Sequence, residues 1–331
     1  MNQKFVNAMP LYRQEQELKR MGVKLSRQTL ANWMIKGASL LQPLADAMKA
    51  ELLHKEVLHA DETTLEVLCE PDRPAQTNSY MWLYRTSGCD APIVLYDYQE
   101  GRAGNFAKTY LNGFKGYLHT DGWGGYHQLE ENGVTLCGCW AHARRKFNEA
   151  VVVCTGKENL PEAKGVAFCN ALFEIERRTT EMSAPQRYTL RQKESKPLTE
   201  EFFAWVAQQT AKTLPQSLLG KALTYVQNQR KYLLSFLEDG RIELSNNRAE
   251  RSIRPFVIGR KNWLFCNTPA GAKSSAVIYS IVETAKENGL IPYAYLMYVF
   301  EQIQRHDTEN TEALLPWATE IPQSCRMQTK E

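Results

Sequence analysis

The sequence predicts an α/β fold, a mixed five-stranded sheet with a helical segment before it and a long helical insertion after it. Three features carry this expectation. Short β-rich runs separated by Pro, Asp, Ser and Gly begin at Val57, two further strand-like runs follow on either side of a short helix, and residues 142–237 read as helix almost throughout.

Residues 11–36 read as two helices about a turn at Gly22, with Ser26 placed to cap the second. That arrangement is compatible with a helix-turn-helix and equally with an ordinary helical hairpin. Leu40–Leu53 is expected as a further amphipathic helix after a break at Pro43, so that residues 1–54 form a helical segment. The runs VLHADETTLEVL, SYMWLYRT and PIVLYDY then give three sequential antiparallel strands, and RAGNFAKTYLNG gives a helix closed by Gly113. KGYLHTD is a fourth strand, GWGGY a turn into a short helix reaching about Asn132, and VTLCGCW a fifth strand. The helical insertion is placed at about 154–237, with breaks near Pro161, Pro185, Pro197 and Pro215. Beyond it, Ser245 or Asn246 starts a helix, Gly289 stops a second, and Pro292 opens a third. The main domain is thus expected at 55–300, with a polar tail at 301–331.

With 331 residues, 43% hydrophobic and 23% charged, the chain has the balance of a globular protein with one large core or two. No apolar run approaches the roughly 20 residues that span a bilayer, and the polar start MNQKFVNAMPLYRQEQ lacks the apolar stretch of a secretory signal. The expectation is a cytoplasmic protein with no membrane partner. Of the eight cysteines only Cys137 and Cys139 lie close together, which gives no disulfide framework. The net charge is only +3, yet residues 241–262 carry six Lys or Arg against two Glu, a strip suited to a polyanion.

Three acids stand out. Asp61 sits in an apolar β-like run, where a lone carboxylate is costly to desolvate unless a cation relieves it. Asp121 ends another strand ahead of glycines that permit a tight turn. Glu250 lies on a helix with Asn247, Arg251 and Arg254 on its side and Ala249, Ile253 and Phe256 toward the core. Carboxylates are the ligands with which two Mg²⁺ or Mn²⁺ ions activate an attacking oxygen and stabilise a leaving one at phosphorus. The plain alternative is an exposed helix with a Glu250–Arg254 pair.

Arg248, Arg251, Arg254, Arg260 and Lys261 surround Glu250 and are the first candidates for phosphate contacts. Arg144, Arg145 and Lys146 are further candidates, although three adjacent charges on a helix cannot all face one way. Trp123 and Tyr126 offer aromatic faces to an unpaired base, with core packing the stronger expectation for Trp123. His119 is expected as a packed or hydrogen-bonded histidine. Cys137, Cys139 and His142 invite zinc, but the second close pair of a four-ligand site is missing, and a local structural role or a His142 contact to DNA is the better expectation.

The strings HADET, GYLHTDGWGGY, CWAHARRKF, LSNNRAERSIRPFVIGRKNWLF and YSIVETAKENGLIPYAYL run in this order across residues 57–300 and resemble the insertion-sequence 66 family of bacterial transposases. The resemblance implies an Asp-Asp-Glu enzyme with a ribonuclease-H-like core and a helical insertion before the Glu. The three acids fall on Asp61, Asp121 and Glu250, 60 and 129 positions apart. It further implies metal-dependent cleavage and strand transfer at transposon ends, with end and target DNA as partners, a homo-oligomer assembled on DNA, and accessory proteins. The C-x-x-H of Cys139 and His142 recurs after the second Asp in several transposase groups. Members of the family usually carry more chain at the N-terminus, including a cysteine-rich zinc-binding segment. A catalytically inactive, N-terminally truncated DNA-binding remnant or regulator is therefore the alternative expectation, and a host nuclease of the same fold a third.

Overall fold

The computed structural model describes residues 1–153, 160–305 and 308–328. Helices α1 (Asn2–Phe5), α2 (Leu11–Arg20) and α3 (Arg27–Leu53) precede strands β1 (Val57–Glu66), β2 (Asn78–Thr86) and β3 (Val94–Gln99). Helix α4 (Gly104–Tyr110), β4 (Tyr117–His119), a 3₁₀ turn (Gly124–Asn132) and β5 (Thr135–Cys137) follow. The remainder is helical: α5 (Trp140–Val153), α6 (Pro161–Arg178), α7 (Ala184–Leu190), α8 (Lys196–Thr210), α9 (Leu218–Asn228), α10 (Arg230–Leu234), α11 (Asn247–Trp263), α12 (Pro269–Glu287) and α13 (Pro292–Gln304).

The strands form one sheet in the order β3-β2-β1-β4-β5. β2 runs antiparallel to β3, whereas β1 pairs in parallel with β4 and β4 with β5. The mixed five-stranded sheet among many helices is the α/β class read from the sequence. The chain divides into two compact units, one of Met1–Lys55, Ala60–Phe114 and Ala249–Glu331, the other of Glu56–His59 and Lys115–Arg248.

In the first unit, β3 is an edge strand whose outer backbone groups need partners. α12 supplies them through hydroxyls one helical turn apart: Ser280 Oγ accepts from the Tyr96 N–H (2.8 Å), and Thr284 Oγ1 accepts from the Val94 N–H (3.0 Å). Buried Arg85 of β2 makes a bidentate pair with Glu287 of α12 (2.7 and 2.8 Å) and also donates to Ser252 of α11. α3 runs unbroken through Pro43, where the sequence reading placed a break. Pro43 is exposed, while Leu41, Leu44, Ala45 and Met48 around it are buried. The apolar stripe thus holds the helix together against the ~3 kcal/mol that an interior proline costs. Ser26 caps the same helix as expected, accepting from the Thr29 N–H at 3.1 Å.

The second unit is built around aromatic side chains of α5, α6 and α8. Trp140, Phe147, Phe168, Phe202 and Trp205 are buried, with ring centroids between 5.3 and 6.0 Å apart for neighbouring pairs. Gly165 is required by this packing, since a Cβ there would lie 2.4 Å from the Phe147 ring. Fully buried Arg191 is satisfied by both Glu176 oxygens (2.8 and 2.7 Å) and by the carbonyls of Phe236 and Asp239. Described residues 160–237 hold helices and their connections and no strand; residues 154–159 of the expected insertion lie outside the described residues. No helix among the described residues is long and apolar enough to cross a membrane.

Asp97 on β3 provides a test of the first unit's electrostatics. Burial pushes its carboxyl up to about 6, only partly countered by the Gln99 amide at 2.7 Å. Between pH 4 and 6 the folded chain therefore keeps a proton that the unfolded chain releases, and stability falls as pH rises through this window. Asp97→Asn should stabilise the protein at pH 7.5 by roughly 1–3 kcal/mol in urea unfolding, with the gain vanishing near pH 4. An equal or lower stability at pH 7.5 would contradict the assigned burial cost.

Candidate functional site

β1 and β4 are in register through Val57↔Tyr117, Leu58↔Leu118 and His59↔His119. Asp61 lies two residues beyond His59, and Asp121 two residues beyond His119. Asp61 is still on β1 and half-buried; its Oδ1 accepts from the Glu62 N–H at 2.8 Å. Glu62 is in turn held by Arg102, whose Nε donates to it at 2.6 Å. Asp121 sits in the turn after β4, with Gly122 in the left-handed region at φ 89°. Its Oδ1 accepts from the Trp123 N–H at 2.9 Å, and its carbonyl accepts from the Tyr225 hydroxyl at 3.4 Å. Both carboxylates are therefore oriented by short local bonds to their own backbone.

Glu250 falls in the first turn of α11, half-buried, at the end of the helix where the macrodipole favours an acid. Ala249, Ile253 and Phe256 turn to the core and Arg251 and Arg254 to solvent, as the helical spacing predicts. Farther along α11, Arg260 is half-buried and donates to the hydroxyls of Thr63 (3.2 Å) and Thr64 (3.1 Å) on β1, while Lys261 is exposed.

In the second unit, Arg248 is ion-paired with Glu243 at 2.6 Å, and Arg144 donates to Asn170 Oδ1 at 2.6 Å. Arg144 and Asn247 line one open cavity of about 710 Å³, together with Asn170, Glu174 and Arg177. Arg145 is exposed, and His142 is half-buried in the first turn of α5. Tyr126 is fully buried against the edge of Trp123, with centroids 5.5 Å apart, so it is a core residue and not a platform for a base.

Cys137 and Cys139 are both buried. Burial pushes the Cys137 thiol up to about 12. Cys139 Sγ accepts from the Asn246 N–H at 3.2 Å. The buried rings of His59 and His119 stack with centroids 5.1 Å apart and planes 3° from parallel. His59 Nδ1 lies 2.9 Å from Asn246 Oδ1, and His119 Nε2 lies 3.0 Å from the Glu243 carbonyl. Burial, aided by the neighbouring His59, pushes His119 down to about 3, so its ring is neutral near pH 7. His119 is packed and hydrogen-bonded, as expected. His59 and Asn246 were not read as a bonded pair, although H-x-D occurs in both HADET and HTDGW and marks the two histidines as equivalents.

The profile described as Transposase IS66 family matches residues 1–274, and that of the IS66 C-terminal element matches residues 280–317. Among curated relatives, uncharacterized protein y4qI of Sinorhizobium fredii is 33% identical over 328 residues, covering 95% of this chain and 60% of the relative. Uncharacterized protein y4jD of the same organism is 35% identical over 329 residues, covering 95% and 63%. The chain thus spans less than two thirds of the length of these relatives. No solved structure matches.

The neutral state of His119 has a measurable cost. Between pH 6.5 and about 3 the unfolded chain binds a proton at this position that the folded chain does not, so stability is lost on acidification. The slope attributable to His119 should reach ~1.4 kcal/mol per pH unit. His119→Phe should flatten the stability profile between pH 6 and 4 in urea titrations, and an unchanged slope would show that the ring titrates in the folded protein.

Proposed function

The chain belongs to the IS66 transposase family, and on that premise we propose that it is the catalytic part of a DNA transposase, with Asp61, Asp121 and Glu250 as its acids. The observation that carries the reading is the parallel pairing of β1 and β4, in which in-register histidines each precede one of the aspartates by two residues. The strand order β3-β2-β1-β4-β5, with β1, β4 and β5 parallel and β2 antiparallel to β3, supports reading the sheet as a ribonuclease-H-like core.

Three carboxylates are a hard oxygen donor set that fits Mg²⁺ or Mn²⁺ and does not fit a soft-ligand metal. A pair of such ions, when bound, supplies charge stabilisation for in-line displacement at phosphorus. The protein's own part is positioning. The bonds from Glu62 and Trp123 to the two aspartates set one oxygen of each carboxylate before any ligand arrives. Glu250 completes the set from the first turn of α11. In this reading a phosphodiester at the transposon end is hydrolysed, and the freed 3′-hydroxyl then attacks a phosphorus of target DNA, forming a new P–O bond as the target strand's own 3′-oxygen leaves.

Exposed Arg251, Arg254 and Lys261 are the phosphate contacts best supported by their position. Arg248 and Arg260 already hold intramolecular partners, so their part is to fix α11. Arg144 and Asn247, which share a cavity, together with Arg145 and His142, would follow the backbone of the same DNA. Assembly as a homo-oligomer on DNA and help from accessory proteins belong to the same proposal.

Asp61→Asn, Asp121→Asn and Glu250→Gln should each lower Mg²⁺-dependent DNA cleavage by about a hundredfold or more. Their metal-free stability should hold or rise slightly, because a like charge is removed from the cluster. A variant that cuts and joins DNA as the parent does would sink the assignment. Replacing Arg251 and Arg254 together with Gln should reduce the slope of log K against log salt by about 0.9 for each phosphate that is no longer neutralised. An unchanged slope would assign these arginines to the fold.

A further inference from the structure

Residues Glu243–Asn246, which lead into α11, are held by four hydrogen bonds within the second unit. The Leu244 carbonyl accepts from the Trp140 N–H at 3.1 Å, and the Asn246 N–H donates to Cys139 Sγ at 3.2 Å. The other two bonds come from the histidines: His119 Nε2 to the Glu243 carbonyl at 3.0 Å, and His59 Nδ1 to Asn246 Oδ1 at 2.9 Å. Leu244 and Asn246 are buried, as are both rings. An amide or carbonyl oxygen only accepts, so Nδ1 of His59 and Nε2 of His119 each carry a proton.

A phenylalanine pair would fill the same space without the cost of taking ring nitrogens out of water. The imidazoles offer what phenyl rings lack, a directed N–H aimed at one segment. We infer that His59 and His119 are positioning residues, a stacked bracket that fixes Glu243–Asn246, and with it the first turn of α11, to the strands carrying Asp61 and Asp121. The inference rests on the reading of those aspartates and Glu250 as the acids of the site. Glu250 follows Asn246 by four residues, about one helical turn, so a shift of the anchor is passed to it with little slack. Hydrogen-bond partners that orient metal-binding side chains typically change metal affinity by about 10–100-fold when removed.

The test titrates Mn²⁺ against the full chain by calorimetry and follows hydrogen exchange of residues 243–250. The parent is compared with His59→Ala, His59→Asn, Asn246→Ala and Asp61→Asn. His59→Ala and Asn246→Ala should each raise the half-saturating Mn²⁺ concentration by about tenfold or more and speed exchange in the segment. His59→Asn keeps an N–H where Nδ1 stood and should stay near the parent in both. In ¹⁵N spectra of the parent, His59 should be protonated at Nδ1, and protonation at Nε2 would overturn the bracket. So would parental Mn²⁺ affinity and exchange in Asn246→Ala, or a His59→Asn as impaired as His59→Ala, which would make the role one of packing. Should His59→Ala not fold, Asn246→Ala carries the comparison from the other side of the bond. Parental Mn²⁺ binding by Asp61→Asn, or none by the parent, would instead remove the acid assignment on which the bracket depends.

Discussion

The parallel pairing of β1 with β4 is the constraint from which the rest of the site follows. Three register pairs suffice to align the two strands, and the last of them, His59 with His119, is buried and stacked. Because strand residues alternate faces, a slip of one position would turn both histidines away from each other and move both aspartates with them. Register is thus specified by partners beyond the strands: the Glu243 carbonyl and the Asn246 side chain meet these rings in this alignment. The arrangement costs stability at low pH, since burial keeps the His119 ring from taking up a proton, and it supplies geometry in return.

The elements with strong periodicity were legible in the sequence. The five strands, the Ser26 cap, the stop at Gly289 and the inward face of α11 follow from alternation, from capping chemistry and from helical spacing. Pro43 misled because local propensity argued for a break, whereas an apolar stripe on the opposite side of α3 made continuity the better solution. Tyr126 misled because an aromatic beside glycines in a turn looks exposed, yet the 3₁₀ turn that follows Trp123 buries it.

The candidate acids were legible as residue types in suggestive places, and the bonds that orient them were not. The Asp121 to Trp123 contact needs the left-handed Gly122, which the glycine-rich string did announce. Pairings distant in sequence, such as His59 with Asn246 or Arg85 with Glu287, depend on tertiary packing and leave no periodic trace. The division among the basic residues is of the same kind. Arg248, Arg251 and Arg254 all lie near Glu250 in sequence, and Arg248 is ion-paired with Glu243 while Arg251 and Arg254 are exposed.

Oxidative cleavage of the chain by bound Fe²⁺ tests the proposal that Asp61, Asp121 and Glu250 bind metal. Iron takes the place of Mg²⁺ at oxygen ligands, and on addition of peroxide it cuts the backbone next to wherever it sits. Mass spectrometry of the fragments should show cuts clustered around residues 60–62, 120–122 and 249–251, all suppressed together by excess Mg²⁺. Cuts at only one of these positions, at none, or at all three without competition by Mg²⁺ would contradict that proposal.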